Sequence, residues 1–353
     1  MPRELIFFQA INEAIDLCMA KDPAVYIMGL GVPDPKGVFG TTLGLKEKYG
    51  SQRVIDMPAS ENGMTGIAIG SALAGMRPIM THQRLDFALL AVEQIVNQAA
   101  NWHYMFGGKM TIPLVIRMII GRGWGQGPQH SQSLQAWFAH IPGLKVVMPS
   151  TAYDAKGLLI SAIEDNNPVI FIEHRWLYHL TGDVSEGIYR VPLGKAKITR
   201  QGSDVTIVAT SYMSIEALRA AEILARDNIN AEIVDVRTLK PWDEDLILES
   251  VRKTGRLIVA DMGWKACGFA AEVISRVAEK GFALLKAPPC SVALPDCPTP
   301  TTPALANKFY PTAIDIINAA RKMLGFNEKT EEELGIVYPT PLDVPDTTFS
   351  GPF

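Results

Sequence analysis

Glu61 opens a helix-like run, ENGMTGIAIGSALAG, built almost wholly from small and apolar residues: Gly63, Gly66, Ala68, Gly70, Ser71, Ala72, Ala74 and Gly75. Small side chains let another backbone or a flat ring approach closely. A carboxylate at the head of so apolar a helix risks losing its water, which would let it share a proton with a bound group. Attraction of an acidic first-turn residue to the helix dipole accounts for Glu61 equally well. The second stretch is IIGRGWGQGPQHSQ, residues 119–132, where a glycine at every second position leads to His130. A phosphate-cradling P-loop needs G-x-x-x-x-G-K-[ST], and no Lys-Ser/Thr pair follows these glycines. The dinucleotide pattern G-x-G-x-x-G fails as well, because the spacing is G-x-G-x-G-x-G and Pro128 removes an amide donor. The loop therefore reads as an approach to His130, for which a capping role and a catalytic role both remain open. The six histidines (His82, His103, His130, His140, His174, His179) form no H-x-x-x-H or H-x-H pair, so structural or surface roles suit His103, His140 and His179. No G-x-S-x-G nucleophile elbow is present.

These residues must be held by a scaffold, and the sequence describes one. The chain has 353 residues, 48% hydrophobic and 20% charged, with net charge −4, which offers nothing to a nucleic acid. No apolar run is long enough to span a bilayer, since IPLVIRMII is short and carries Arg117. The first residues carry Phe8, Ile11, Ile15 and Cys18 at helical spacing, an amphipathic helix in place of a secretory leader. Four scattered cysteines, Cys18, Cys267, Cys290 and Cys297, read as free thiols in a reducing cytoplasm.

Apolar strand-like runs alternate with helical runs: AVYIMGLG, PIMTH, IPLVIRMI, LKVVMP and PVIFIEH, with helices over 61–74, 87–106, 131–140 and 153–164 between them. A turn-rich stretch from Trp176 to about Gly202 precedes a second alternation, DVTIVAT, AEIVDV and RLIVAD with helices over 214–228, 243–254 and 267–280. The expected fold class is α/β, two doubly wound domains, with ligands beyond the carboxyl ends of the strands. The expected boundaries are 1–185, a connector 186–202, 203–324, and a Pro-containing extended tail 325–353, which reads either as a disordered tail or as an arm packed on another subunit.

Three motifs in order carry a family resemblance: SENGMTGIAIGSALAGMRP, DFALLAVEQIVNQAANWHYMFGG, and QHSQSLQAWFAHIPGLKVVMPSTAYDAKGLLISAIEDNNPVIFIE. They resemble the β subunit of thiamine-diphosphate-dependent 2-oxo acid dehydrogenases, and VDVRTLKPWDEDLILESVRKTGRLIVAD is similar to that family's C-terminal domain. The resemblance runs from about Arg3 to Leu324. It implies the pyrimidine-binding and C-terminal domains of the transketolase fold. It matches Glu61 to the glutamate that hydrogen-bonds a ring nitrogen of the cofactor's aminopyrimidine and thereby promotes formation of the reactive ylid. Phe87 matches the aromatic residue packed on that ring, and His130 an active-site histidine facing the substrate. Gln83 falls where some branched-chain members place a glutamine near the cofactor. The main-chain carbonyls of Leu114, Ala162, Ile163 and Asp165, with Asn167, match a structural potassium loop.

The family's diphosphate and Mg²⁺ motif, G-D-G, is absent here; TGDVSEG is the nearest string. The resemblance thus implies an α subunit bringing the diphosphate half, an α₂β₂ assembly with sites between subunits, and a lipoyl acyltransferase that receives the acyl group from a 2-oxo acid. Three places depart from the family: Leu30 and Gly31 stand where two acidic residues are usual, Thr81-His82-Gln83-Arg84 replaces a glutamate and mostly apolar residues, and Arg122 and Trp124 sit in the loop before His130. His82 and Arg84 are expected to add positive character near the cofactor, and His82, Arg84, Arg122 and Trp124 are substrate candidates; a salt bridge to the α subunit is the competing role of Arg84. The departures keep open a two-component transketolase-like enzyme that passes its carbanion to a sugar-type aldehyde or ketone. A regulatory or scaffold subunit fits poorly with Glu61, Phe87 and His130 together.

Overall fold

The computed structural model describes residues 2–123 and 125–338. Trp124 and the tail from residue 339 onward lie outside the described residues. The chain divides into two compact units, Met1–Arg122 with Gln129–Leu193, and Gly123–Pro128 with Gly194–Phe353.

The first unit contains β1 (Pro2–Ile6), α1 (Phe7–Lys21), β2 (Val25–Gly29), α2 (Leu45–Tyr49), β3 (Val54–Ile55), α3 (Glu61–Leu73), β4 (Arg77–His82), α4 (Leu85–Ala88), α5 (Trp102–Met105), β5 (Val115–Ile120), α6 (Gln135–His140), β6 (Lys145–Val147), α7 (Ala152–Glu164), β7 (Val169–His174) and β8 (Thr181–Ser185). Six of its strands lie in the order β6-β7-β5-β4-β2-β3, each neighbouring pair parallel. Every residue of β2, β5 and β7 is buried, which is why these strands read as continuous apolar runs. The stripe Ala10, Ile11, Ala14, Ile15 and Cys18 buries one face of α1, which packs against α7. The chain goes from β2 outward to β3, then returns past β2 to β4. The order reverses between β2 and β4, so a crevice opens beyond their carboxyl ends.

Within this core Arg117 on β5 and Glu173 on β7 are both fully buried. Arg117 donates through Nε to Glu173 Oε1 at 2.6 Å and through Nη2 to Oε2 at 2.9 Å, and Tyr178 donates its hydroxyl to Oε2 at 2.6 Å. Such bidentate pairing offsets the desolvation of both charges.

The second unit contains β9 (Lys197–Arg200), β10 (Val205–Ala209), α8 (Tyr212–Leu224), β11 (Ala231–Asp235), β12 (Thr238–Lys240), α9 (Glu244–Thr254), β13 (Leu257–Trp264), α10 (Phe269–Gly281), β14 (Cys290–Leu294), α11 (Pro303–Phe309), α12 (Ala313–Met323) and α13 (Glu331–Leu334). Its sheet has the order β14-β13-β10-β11-β9, with only β9 antiparallel to its neighbour. Strand β9 lies inside the stretch read from sequence as a connector. No described helix is long and apolar enough to cross a membrane.

Three local expectations differ from the structure. The helix expected over 87–106 is instead α4, a 3₁₀ turn Leu89–Ala91, a π-helical segment Gln94–Ala99 and α5. The wider π turn comes with Gln94 lying against Gly66 of α3 and donating to Asn62 Oδ1 at 3.2 Å. The helix expected from Ser131 begins only at Gln135, and residues 131–134 before it form no regular element. The tail expected to be extended contains α13, started by a capping box of Thr330 and Glu333. Its described end is tied down by Tyr338, whose hydroxyl donates to the buried Glu216 at 2.7 Å.

Candidate active site

The crevice between β2 and β4 holds a small recess, about 10 Å³ in cavity volume, lined by Leu30, Met57, Glu61, Thr81, His82, Gln83 and Phe87. Its floor is set by backbone geometry. Gly31 turns the chain after β2 with φ +71°, and a Cβ there would lie 2.9 Å from Gln83 Nε2, so the position requires glycine. Asp56 fixes this turn by accepting from Gly31 N at 3.0 Å and Met57 N at 2.9 Å. Gln83 closes it from the other side, donating to Leu30 O at 3.0 Å. The sequence departure at Leu30 and Gly31 is thus an apolar lining residue followed by a tight turn.

Glu61 enters the recess from the first position of α3 and is half-buried. Phe87 enters from α4. His130 stands in the 3₁₀ turn Pro128–His130 and meets Phe87 edge-on, ring centroids 5.3 Å apart and planes at 89°. A residue not singled out in the sequence holds this arrangement. Asp86, beside Phe87 on α4 and buried, accepts through Oδ1 from Gln132 N at 3.2 Å and from Gln132 Nε2 at 3.0 Å. It therefore ties Gln132, two residues after His130, to the helix that carries Phe87. In the sequence its only signal is adjacency to an aromatic.

The expected positive character is not supplied at the recess. His82 is 2% exposed, and burial pushes its imidazole down to about 4, so it is uncharged at neutral pH. Thr65 Oγ1 on α3 lies 3.4 Å from its Nε2. Arg84 is 3% exposed; its guanidinium donates to Gly121 O and faces the Phe39 ring at 5.8 Å. It braces the start of the glycine run. Gly121 itself has φ +92°, and a Cβ would meet the buried His174 ring at 2.8 Å. Arg122 is fully buried, with its carbonyl accepting from Trp176 Nε1 at 2.7 Å. Trp124 lies outside the described residues.

The candidate cation loop lies away from the recess. Leu114 O accepts from Val169 N at 2.9 Å and Ala162 O from Asp165 N at 3.3 Å. Arg77 donates to Ile163 O at 2.9 Å and to Asp165 O at 2.7 Å. Asn167 N donates to Asp165 Oδ1 at 2.8 Å, and Lys145 pairs with the same carboxylate. Each carbonyl keeps a second lone pair.

A carboxylate and an aromatic ring at one recess suit a flat heteroaromatic ring bearing a basic nitrogen. A histidine beside the aromatic can donate to, or take a proton from, a group just outside it. No Lys or Arg lines the recess, so it has nothing for a diphosphate.

The chain's relatives agree with this chemistry. Residues 4–181 match the transketolase pyrimidine-binding domain and residues 194–316 the transketolase C-terminal domain. The β subunit of an acetoin:2,6-dichlorophenolindophenol oxidoreductase from Cupriavidus necator is 48% identical over 334 residues, 92% of this chain and 98% of that protein. The pyruvate dehydrogenase E1 component β subunit of Rickettsia bellii is 44% identical over 315 residues, 89% of this chain and 97% of that protein. Among solved structures, a split-gene transketolase described as an inactive β4 tetramer superposes with a TM-score of 0.76 at 25% identity, covering 92% of this chain and 100% of that one. The stronger identities lie with dehydrogenase β subunits, which favours that branch over the transketolase-like alternative. The chain belongs to the β-subunit family of thiamine-diphosphate-dependent 2-oxo acid dehydrogenases.

Proposed function

We propose that this chain is the catalytic β half of a two-subunit enzyme that decarboxylates a short 2-oxo acid, or cleaves a comparable ketone, and passes the acyl group to the lipoamide of a partner acyltransferase. The observation that carries the reading is the recess at the β2/β4 crossover, with Glu61 on one side and Phe87, met edge-on by His130, on the other. Its lining, a carboxylate beside an aromatic ring, fits the aminopyrimidine of thiamine diphosphate in chemistry. When bound, the cofactor supplies the carbanion chemistry. Glu61 would hold a ring nitrogen and share its proton, and Phe87 would cover a face of the ring. His130 would hydrogen-bond the substrate and shuttle a proton, kept in place by Asp86 through Gln132. Gln83, which closes the Leu30 turn, would border the cofactor.

The diphosphate and Mg²⁺ belong to an α subunit, in an α₂β₂ assembly, because this sequence has no G-D-G motif and the recess has no cationic lining. The carbonyls of Leu114, Ala162, Ile163 and Asp165, with Asn167, are the proposed ligands of a structural K⁺, which would share Ile163 O and Asp165 O with the Arg77 guanidinium. The relatives are named for pyruvate and acetoin, so short substrates of both kinds come first in an assay. Four free cysteines suit a reducing compartment, and we place the enzyme in the cytoplasm. The test is co-expression with the α-like partner and assay of 2-oxo acid decarboxylation with thiamine diphosphate and Mg²⁺. Turnover in the wild type that is abolished by Glu61→Ala supports the reading; wild-type turnover in that variant refutes the site.

A further inference from the structure

Gly127 ends the glycine run, and the 3₁₀ turn Pro128–His130 follows it directly. It does not take a left-handed φ, so its backbone conformation does not itself demand glycine. Space is what restricts it: a Cβ there would lie 2.5 Å from Thr301 Oγ1 and 3.6 Å from Thr301 Cβ. Both residues belong to the second unit, although Gly127 lies in the chain just before His130. The geometry points to Thr301 as a positioning residue, a wall that sets Gly127 and, through the Pro128–His130 turn, the place of His130. This rests on the function proposed above.

The wall is stiff. Thr301 lies in PDCPTPTTP, residues 295–303, between Pro300 and Thr302, which precedes α11 with Pro303 at that helix's first position. Proline fixes its own φ and restricts the residue before it. The same stretch is held earlier, where Trp264 Nε1 donates to Cys297 O at 2.9 Å. Thr301 is β-branched, so its side chain clears a given side in only one of three staggered rotamers. The chain before Gly127 is fixed as well: Gln126 N donates to Gly123 O at 3.1 Å, and Gly123 N donates to Gln126 Oε1 at 3.0 Å. A 3₁₀ turn rises about 2.0 Å per residue, so Gly127 stands only about 6 Å along it from His130. Between them are Pro128, with its fixed φ, and Gln129, so little chain is left to absorb a displacement. Asp86 fixes the chain after His130 through Gln132, and Thr301 fixes it before.

The experiment uses the complex with its α subunit and compares Gly127→Ala, Thr301→Ala and the double variant with wild type. Opening a 2.5 Å contact to an ordinary carbon separation moves Gly127 by about 1 Å. A misplacement of that size can slow a reaction about 100-fold. Gly127→Ala should therefore lower kcat on a 2-oxo acid by about 10- to 100-fold, while thiamine diphosphate affinity, measured by calorimetry with Mg²⁺, is unchanged. In the double variant only the Thr301 Cβ position remains opposite, 3.6 Å away, an ordinary contact, so most of kcat returns. Thr301→Ala alone costs less than Gly127→Ala, because it removes a wall without forcing a shift. Crystal structures of the complexes give a readout free of turnover: the His130 ring shifts against Phe87 in Gly127→Ala, from ring centroids 5.3 Å apart, and returns in the double variant. Turnover of Gly127→Ala within about twofold of wild type, or a double variant as slow as Gly127→Ala, would overturn the proposal. So would a loss that only follows a fallen thermal midpoint. A wild-type complex with no 2-oxo acid turnover would instead overturn the function on which the proposal rests.

Discussion

Asp86→Ala removes the acceptor that joins the residues after His130 to the helix of Phe87. Two hydrogen bonds end on one oxygen, Asp86 Oδ1, from Gln132 N at 3.2 Å and Gln132 Nε2 at 3.0 Å. Bonds to a carboxylate are each worth about 1.5–3 kcal/mol, less when the loop can relax to water. Taking about 2 kcal/mol for the pair, the ordered position of His130 loses roughly a factor of 30, and a step needing that position slows by as much. The cofactor recess itself keeps Glu61, Gln83 and Phe87, so cofactor affinity should move by less than about threefold, within the spread of a neutral contact. The assay is steady-state turnover of the co-expressed complex, with cofactor affinity measured separately. Asp86→Asn, which retains a carbonyl acceptor, should recover most of the rate. If Asp86→Ala turns over within about twofold of wild type at an unchanged thermal midpoint, the positioning of His130 by Asp86 is refuted.

Three further outcomes follow from the same geometry. Glu173→Ala leaves the Arg117 guanidinium buried without its partner; the cost is about 3–5 kcal/mol, or a fall of about 10 °C in midpoint, and Arg117→Met/Glu173→Leu should recover part of it in thermal melts, whereas an equal or larger loss in the double variant counts against a lone-charge penalty. Burial pushes His174 down to about 3 and His82 to about 4, against an ordinary value of 6.5. The unfolded chain takes up protons below about 6.5 that the folded chain refuses, so stability is full above that pH and falls as pH drops toward 4 and then 3, by about 1.4 kcal/mol per unit for each ring. Denaturant melts at pH 7.5 and 5.5 should differ accordingly, and a flat profile removes the neutral imidazoles from the account. Finally, KCl should raise the melting midpoint of the complex above choline chloride of equal strength; equal midpoints would leave the loop of Ile163 and Asp165 with Arg77 and Lys145 as its cationic partners.

Much of the scaffold was written in local patterns. The continuous apolar runs at β2, β5 and β7 and the stripe on α1 encode burial directly, and the small-residue run after Glu61 marked the helix that lines the recess. Glu61 and Phe87 converge because β4 lies beside β2, a consequence of the crossover that the alternation of strands and helices implies. What was not legible is long-range. Asp86 and Gln132 are far apart in sequence and neither type announces a tether. Arg122 sits in a glycine run that suggests an open loop, yet its side chain is fully buried, and the buried Arg84 braces Gly121. The charge state of His82 depends on burial that residue type does not convey. The π-helical turn at Gln94 follows from packing against Gly66, which a 3.6-residue period cannot foresee.

The central claim is that the crevice between β2 and β4 receives the pyrimidine half of thiamine diphosphate. The most direct measurement is a structure of the co-expressed complex with cofactor and Mg²⁺. The account predicts the aminopyrimidine in the recess, a ring nitrogen within hydrogen-bond distance of Glu61 and one face against Phe87, with the diphosphate held by the α subunit. A cofactor ring seated elsewhere, with Glu61 free of it, would contradict the account.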